Sequence, residues 1–399
     1  MKKIKRALIS VYDKNNLNFL LKNLKKFKID LISSGGTFNE IKRLGFNCEE
    51  VSKYTDSPEI LSGRVKTLHP KIHAGILSER KLKSHKNDLK KNNYNEIDLV
   101  IVNFYPFEKT ISQTKNHKKI IENIDIGGPS MVRAAAKNFN DVTVITSCSQ
   151  YESLIKNINQ NKGTTSLEYR RKAALHAFGE TAYYESLIYN YFNDNFNDVF
   201  PKKMILGFNH LENLRYGENP HQKGAIYSSS KDLGLNQLNG KQLSYNNYAD
   251  IFSALQISKT FPKNIGTVIV KHGNPCGVSI NKDNNDSFLL AYNTDPISAF
   301  GGIIACNFNI NKKIAKELNK LFFEVIIGSG FDKDALLILK KKKNVRIINS
   351  RNYKISNKNN LISNMNFALT QYPDIKNFKY SDFKIVSKIK PSKKTFENL

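Results

Sequence analysis

Residues 271–277 read Lys-His-Gly-Asn-Pro-Cys-Gly, a run of reactive side chains pinned by two glycines and a proline. Four chemistries fit it: a metal site, a cysteine nucleophile, an acid–base pair, or a tight turn that happens to carry polar groups. A zinc site of the deaminase kind needs H-x-E and P-C-x-x-C. Here no glutamate follows His272 at that spacing, and Cys276 has no second cysteine at the spacing required. A nucleophilic thiol wants a histidine base and a third orienting group. Nothing in the chain argues for that set, and a structural thiol is the better reading of Cys276. Lys271 and His272 keep two readings, a charge-stabilising and proton-moving pair or a satisfied strand end.

The front of the chain holds a second constellation. Ser33-Ser34-Gly35-Gly36-Thr37 sits where a buried strand hands over to a helix. Glycines there let backbone N–H groups approach an anion, and the helix dipole favours negative charge. The alternative is a plain strand-to-helix turn. Ser10 and Lys14 end the preceding strand and face the same crevice. Arg64-Val65-Lys66-Thr67 puts two cations on one side of an extended segment, a geometry suited to phosphate or a carboxamide oxygen. His69 and His73 follow closely, but no carboxylate completes a metal set, so both are assigned to structure. Asn103, Phe104 and Tyr105 end an apolar strand, where polar side chains point into a ligand crevice. Asp125 opens a Gly-Gly-Pro turn and a helix bearing Arg133 and Lys137. It either steers a proton or caps that helix. A lysine near other cations and partly desolvated can serve as acid or base, which makes Lys137 a candidate.

These residues need a frame, and the hydrophobic pattern supplies one. RALISVY (6–12), IDLISS (29–34), DLVIVNF (98–104) and DVTVITS (141–147) read as buried strands. Between them lie helical patterns such as Leu17, Leu20, Leu21, Leu24 and Phe27. This is an α/β domain with a mostly parallel sheet over residues 1–200. A long helix over 166–192 and a polar linker near residue 200 close it. Residues 201–399 form a second α/β domain, with strand-like stretches at 266–277 and 297–307. Past Asn344 the chain turns polar and weakly patterned.

With 399 residues and 40% hydrophobic content the chain can bury sizeable cores. Its longest apolar runs fall short of the ~18 residues a membrane span needs. The basic start lacks the longer apolar region of a signal peptide. Four distant cysteines suit a reducing compartment. The expected location is therefore cytoplasmic, with no membrane partner. A net charge of +27 raises nucleic acid as a ligand. The lysines, however, are spread among asparagine and isoleucine in the manner of codon drift rather than gathered in a patch, so no nucleic-acid partner is expected. The excess still favours small anionic substrates. Only ten of the 62 basic residues are arginine, yet Arg64, Arg133 and Arg215 all lie in motifs.

In order along the chain, RALISVYDK, SSGGT, ILSGRVKTLHPKIHAGIL, VNFYPFEKT and IDIGGPSMVRAAAKNF resemble the cyclohydrolase half of the bifunctional AICAR transformylase/IMP cyclohydrolase family. LRYGENPHQ, LSYNNYAD, KHGNPCG, DPISAFGGIIACN and FFEVIIGSGFDKDAL resemble its transformylase half. The resemblance implies a methylglyoxal-synthase-like first domain and a cytidine-deaminase-like second one. It implies ring closure in the first: a nitrogen of formyl-AICAR attacks its own formyl carbon and water leaves, giving IMP. Lys137 is then the proton-transfer residue, with Lys66, Tyr105 and Asp125 around the reacting groups. Ser10, Tyr12, Asp13, Lys14, Ser34, Gly35, Gly36, Thr37, Arg64, Val65 and Thr67 hold the nucleotide, together with Asn103, Phe104, Ile126 and Gly127. In the second domain formyl passes from 10-formyltetrahydrofolate, a co-substrate rather than a tightly bound cofactor, to AICAR. By resemblance His272 is the base and Lys271 the charge stabiliser; Arg215, Tyr216, Phe300, Gly301 and Glu324 shape the pocket. No metal is expected, and a homodimer is. Two departures stand out. Gly328-Ser329 replaces the family's usual Ala-Pro, and the family pattern continues well past Leu399. The second leads to the expectation of a truncated transformylase half, inactive or completed by another fragment.

Overall fold

The computed structural model describes residues 3–196, 199–230, 232–354, 360–364, 366–374 and 382–397. The chain divides into two compact units, Met1–Gly207 and Phe208–Leu399.

The first unit is built on five parallel strands: β1 (Arg6–Val11), β2 (Asp30–Ser33), β3 (Glu49–Glu50), β4 (Leu99–Asn103) and β5 (Thr143–Ile145), in spatial order 3-2-1-4-5. The strands read as unbroken apolar runs because both faces of a parallel sheet are covered. Alternation sorts their side chains between two cores. Leu8, Val100 and Val144 meet Ile72, Ile76, Met131, Val132 and Ala135 on one face. Ala7, Ile9, Leu99 and Ile101 meet Leu17, Leu20, Leu21, Leu24, Leu154 and Ile158 on the other. Burying each such leucine or isoleucine contributes about 1.5–3 kcal/mol. The strand order reverses between β1 and β4, and a crevice opens beyond the carboxyl ends at such a switch point. A 30-residue helix, Leu167–Phe196, closes the unit and seats Ala173, Ala174 and Ala177 in the first core.

The second unit adds β6 (Asn209–Asn213) and β7 (Ala225–Ser228) as a hairpin, then β8 (Asn236–Asn239), β9 (Gly266–Lys271), β10 (Asn274–Ile280), β11 (Ile303–Ile310), β12 (Val325–Phe331) and β13 (Arg346–Asn349). A second hairpin, β14 (Asn360–Ser363) with β15 (Ala368–Gln371), follows. Strands 8 to 13 form one mixed sheet, ordered 10-9-11-12-13-8, parallel only where β11, β12 and β13 adjoin. Val268, Val270 and Ile327 pack on Leu243, Ile251, Ala254 and Leu255. Ile269, Ile304 and Ile326 pack on Phe288, Ile314, Leu318 and Leu339.

Two differences from the sequence reading have local causes. The stretch 266–277, read as one strand, is an antiparallel hairpin. His272 and Gly273 take φ values of 51° and 77°, so the chain reverses between Lys271 and Asn274. In the region that reads as weakly patterned, Arg346–Asn349 is a buried strand of four residues, too short to show a period.

Candidate active sites

In the first unit the carboxyl ends of β1, β2 and β4 and the start of the helix Gly127–Lys137 enclose a cleft of about 620 Å³. β2 ends at Ser33, whose hydroxyl donates to the Ile9 carbonyl at 2.7 Å. Ser34, extended, precedes the helix Gly35–Arg43. Thr37 ties that helix to β1: its hydroxyl donates to the Val11 carbonyl and accepts from the Val11 N–H, both at 2.9 Å. Gly35 has φ 52°, and a Cβ there would lie 3.2 Å from the Lys66 ammonium. The cleft therefore sets backbone N–H groups, a helix N-terminus and lysines against one region, which suits a phosphate.

The two cations of the Arg64–Lys66 segment already have carboxylate partners. Lys66 Nζ lies 2.8 Å from Glu59, and Arg64 pairs with Glu122. The loop before them has left-handed backbone at Leu61, Ser62 and Gly63 in succession. Tyr12 and Tyr105 meet edge to face with ring centroids 6.0 Å apart.

Asp125 lines the cleft half-buried. Its carboxylate accepts from the Gly128 N–H at 2.8 Å, and the Asp125 N–H donates to the Tyr184 hydroxyl at 2.8 Å. Burial pushes the Asp125 carboxyl up from its ordinary value; backbone N–H groups of Gly128 and Tyr105 pull the other way. A Cβ on Gly128 would come within 2.4 Å of that carboxylate, and one on Gly127 within 2.7 Å of the Thr67 hydroxyl. These glycines let backbone and side chain share the space.

Ser10, Tyr12, Lys14, Ser34, Gly35, Gly36 and Thr37 all face this cleft, as do Arg64, Lys66, Thr67, Asn103, Tyr105, Asp125, Ile126 and Gly127. Asp13 stands one shell back, its N–H donating to Asn103 Oδ1 at 2.9 Å while Asn103 Nδ2 donates to the Asp13 carbonyl at 3.0 Å. Val65 pairs its backbone with Ile60, and Phe104 packs on Tyr184 with centroids 5.0 Å apart. Lys137 does not line this cleft. It is exposed at the far end of the Gly127–Lys137 helix, whose other end meets the cleft. Ten residues at ~1.5 Å rise place it about 15 Å from Gly127 along the axis. The partly desolvated position expected for it is not the one it occupies. Ser62, Gly63, Ile121, Glu122, Gly128 and Met131 also line the cleft. Glu122 and Glu59 carried no sequence signal, since nothing in spacing links them to the cations they meet.

In the second unit Lys271 ends β9, and its ammonium donates to the Gly301 carbonyl at 3.2 Å. Gly301 has φ 68°, and a Cβ there would sit 3.2 Å from both Lys271 Nζ and the Phe322 ring. Phe300 and Phe322 pack with centroids 4.8 Å apart. His272 is exposed in the turn that follows. Glu324 accepts from Asn247 Nδ2 at 3.0 Å and from Arg346 at 3.2 Å. The Arg215 guanidinium lies 4.7 Å over the Tyr216 ring. Burial lowers the pKa of Arg346, and the positive charge of Arg215 adds to that effect. Cys276 is half-buried, with its thiol donating to the Ile269 carbonyl at 3.6 Å, and burial raises its pKa. Its neighbour Gly277 is required by packing, because a Cβ would strike the Ala291 carbonyl at 2.0 Å. His69 accepts from the Lys71 N–H and caps the helix Pro70–Leu77. Among the described residues no three His, Cys, Asp or Glu side chains gather as a metal set.

Residues 16–130 match the MGS-like domain family, and residues 135–399 match the AICARFT/IMPCHase bienzyme family. "Bifunctional purine biosynthesis protein PurH" of Thermoanaerobacter sp. is 42% identical over 99% of this chain and 78% of its own length. The protein of that name from Acetivibrio thermocellus is 41% identical over 99% and 79%. The one from Persephonella marina is 44% identical over 88% and 69%. The likeness runs through both units, and it lends no support to the expectation of a truncated, inactive second half.

Proposed function

The chain belongs to the AICARFT/IMPCHase bienzyme family, and on that premise we propose which unit and which residues carry each of the last two steps of IMP synthesis. The second unit moves formyl from 10-formyltetrahydrofolate to the amine of AICAR, and the first closes the ring of the formyl-AICAR so made. In ring closure the carboxamide nitrogen bonds to the formyl carbon, and the formyl oxygen departs as water after proton transfer.

One observation carries the assignment of the first unit: the half-buried Asp125 carboxylate lines the same cleft as Lys66 and Tyr105. A carboxylate whose pKa is raised by burial is a stronger base than an exposed one. Asp125 takes the proton from the carboxamide nitrogen, while the Lys66 ammonium and the Tyr105 hydroxyl stabilise charge on the formyl oxygen. Ser34, Gly35, Gly36 and Thr37 hold the phosphate at the helix N-terminus with Lys14 beside them. To act on substrate, Lys66 and Arg64 leave Glu59 and Glu122. Asp125→Ala and Lys66→Ala are each expected to lower the ring-closure kcat of formyl-AICAR by about 10²-fold or more. Ring closure at the wild-type rate in both variants would sink this assignment.

In the second unit His272 takes the proton from the attacking amine of AICAR, and Lys271 stabilises the developing oxyanion. Arg215, Tyr216, Glu324 and Arg346 supply a charged wall for the nucleotide, and the Phe300–Phe322 pair an apolar face. The reading includes a cytoplasmic homodimer. Separated thiols suit a reducing compartment, and among the described residues no helix is long and apolar enough to cross a membrane. The dimer also gives Lys137 a way into the ring-closing step, since from its position only a second copy can bring it to a cleft.

A further inference from the structure

His272 stands in a backbone conformation that L residues avoid. The chain reverses between Lys271 and Asn274 through two residues with positive φ, the signature of a type I′ hairpin turn. Asparagine or aspartate with glycine is the usual pair in such turns, and a histidine in the first place is a strained choice. Residues in sparsely populated backbone regions persist only where their surroundings over-determine them. Here the surroundings are one helix, Tyr245–Ser258. Asp250, half-buried, accepts from the Gly273 N–H at 2.7 Å. One turn later Ser253 donates its hydroxyl to the Gly273 carbonyl at 2.9 Å. Both polar groups of the turn's second residue are thus held from the same helix face, at i and i+3. The Asn274 amide closes the turn from the other side, donating to the His272 carbonyl at 3.2 Å.

We propose that Asp250 and Ser253 are positioning residues for formyl transfer, clamping the Gly273 peptide so that His272 is presented to the substrate from a left-handed backbone. The idea rests on the reading of His272 as the base. Neither residue touches the reacting atoms; each acts by fixing the turn. Asp250 carries the larger share, its bond from the Gly273 N–H being the shorter of the two at 2.7 Å. Asp250 closes the motif LSYNNYAD, and the clamp gives that aspartate a task its spacing did not disclose.

The test uses the full chain, with ring closure in the first unit as an internal control of folding. Asp250→Ala is expected to lower the formyl-transfer kcat at least tenfold, as misplacement of a reacting group does. The KM for AICAR should change less than twofold and ring closure should not change. Asp250→Asn keeps an oxygen in place and is expected to recover most of the rate. Ser253→Ala should show a smaller loss of the same kind. In a hydrogen-exchange measurement the Gly273 amide should exchange at least tenfold faster in Asp250→Ala. His272→Ala separates the two ideas. If it retains transfer, or if the wild type shows none, the reading of the base falls and the clamp falls with it. If His272→Ala is inactive while Asp250→Ala stays within twofold of wild type, the clamp alone is overturned. An Asp250→Asn variant as impaired as Asp250→Ala also overturns it, by assigning the effect to charge rather than to the turn.

Discussion

Gly128→Ala places the smallest possible probe against Asp125. Gly128 is the second residue of its helix, and its backbone is not in the left-handed region, so alanine meets no backbone strain there. Helix propensity alone would favour the change by up to about 1 kcal/mol. The added Cβ, however, would lie 2.4 Å from Asp125 Oδ2 and 2.9 Å from Cγ. Ordinary contact begins near 3.4 Å, so the carboxylate must retreat by about 1 Å, the difference between 3.4 and 2.4 Å. That retreat breaks its bond from the Gly128 N–H, one of the charge-assisted kind that contributes about 1.5–3 kcal/mol. Net stability should fall by roughly 0.5–2 kcal/mol, the bond lost less the propensity gained. A 1 Å displacement of a reacting group costs about 10²-fold in rate. At 1.36 kcal/mol per decade that is about 2.7 kcal/mol of barrier, more than the stability change. The assay is ring closure of formyl-AICAR followed by absorbance, with urea unfolding of the same preparation. A kcat within threefold of wild type in a folded variant would refute the placement of Asp125 as the proton acceptor.

Other outcomes follow from the same geometry. Because burial raises the Asp125 carboxyl, the folded chain keeps a proton there that the unfolded chain has lost. Stability should fall as pH rises from the ordinary aspartate value, near 3.9, through the raised one. Asp125→Asn should remove that fall, so its stability relative to wild type rises with pH; a difference flat across urea titrations between about pH 3.5 and 8 contradicts it. Glu59→Gln releases Lys66 from a partly exposed pair worth about 0.2–1 kcal/mol, so stability should barely move. Its KM for formyl-AICAR should drop by up to about fivefold, the same energy expressed as binding. For Lys137, mixing Lys137→Ala with Lys66→Ala chains decides the matter. If a second copy supplies Lys137, the mixture recovers ring closure that each variant lacks; an unimpaired Lys137→Ala removes the residue from the step.

The parallel sheet of the first unit was legible because its strands, buried on both faces, read as apolar runs bounded by glycine and serine. The cleft residues were legible because they end those strands, where side chains must leave the core. The family pattern named Lys137 from the company it keeps in sequence, but a helix eleven residues long separates its two ends in space. Glu59 and Glu122 were invisible for the opposite reason: Glu122 meets Arg64 from 58 positions away. At 266–280 the apolar run hid a reversal, since His-Gly is not a pair that announces a type I′ turn. Asp250 closed a recognised motif and Ser253 lay beyond it, yet only the helix facing the turn shows what the two hold.

The reciprocal bonding of Asp13 and Asn103 has a mechanical consequence. A side-chain amide that accepts from one backbone N–H and donates to the same residue's carbonyl imitates a peptide group. It therefore acts as one further rung joining the last residue of β4 to Asp13, two residues past the end of β1. With that rung in place the two strands cannot splay at their ends, and the width of the cleft there is set by the twist of the sheet. Ser62 and Gly63, which also line the cleft, lie outside the sheet in left-handed backbone and take no part in that rung. Asn103→Asp should break the rung, because the new carboxylate faces the Asp13 carbonyl without a proton to give it.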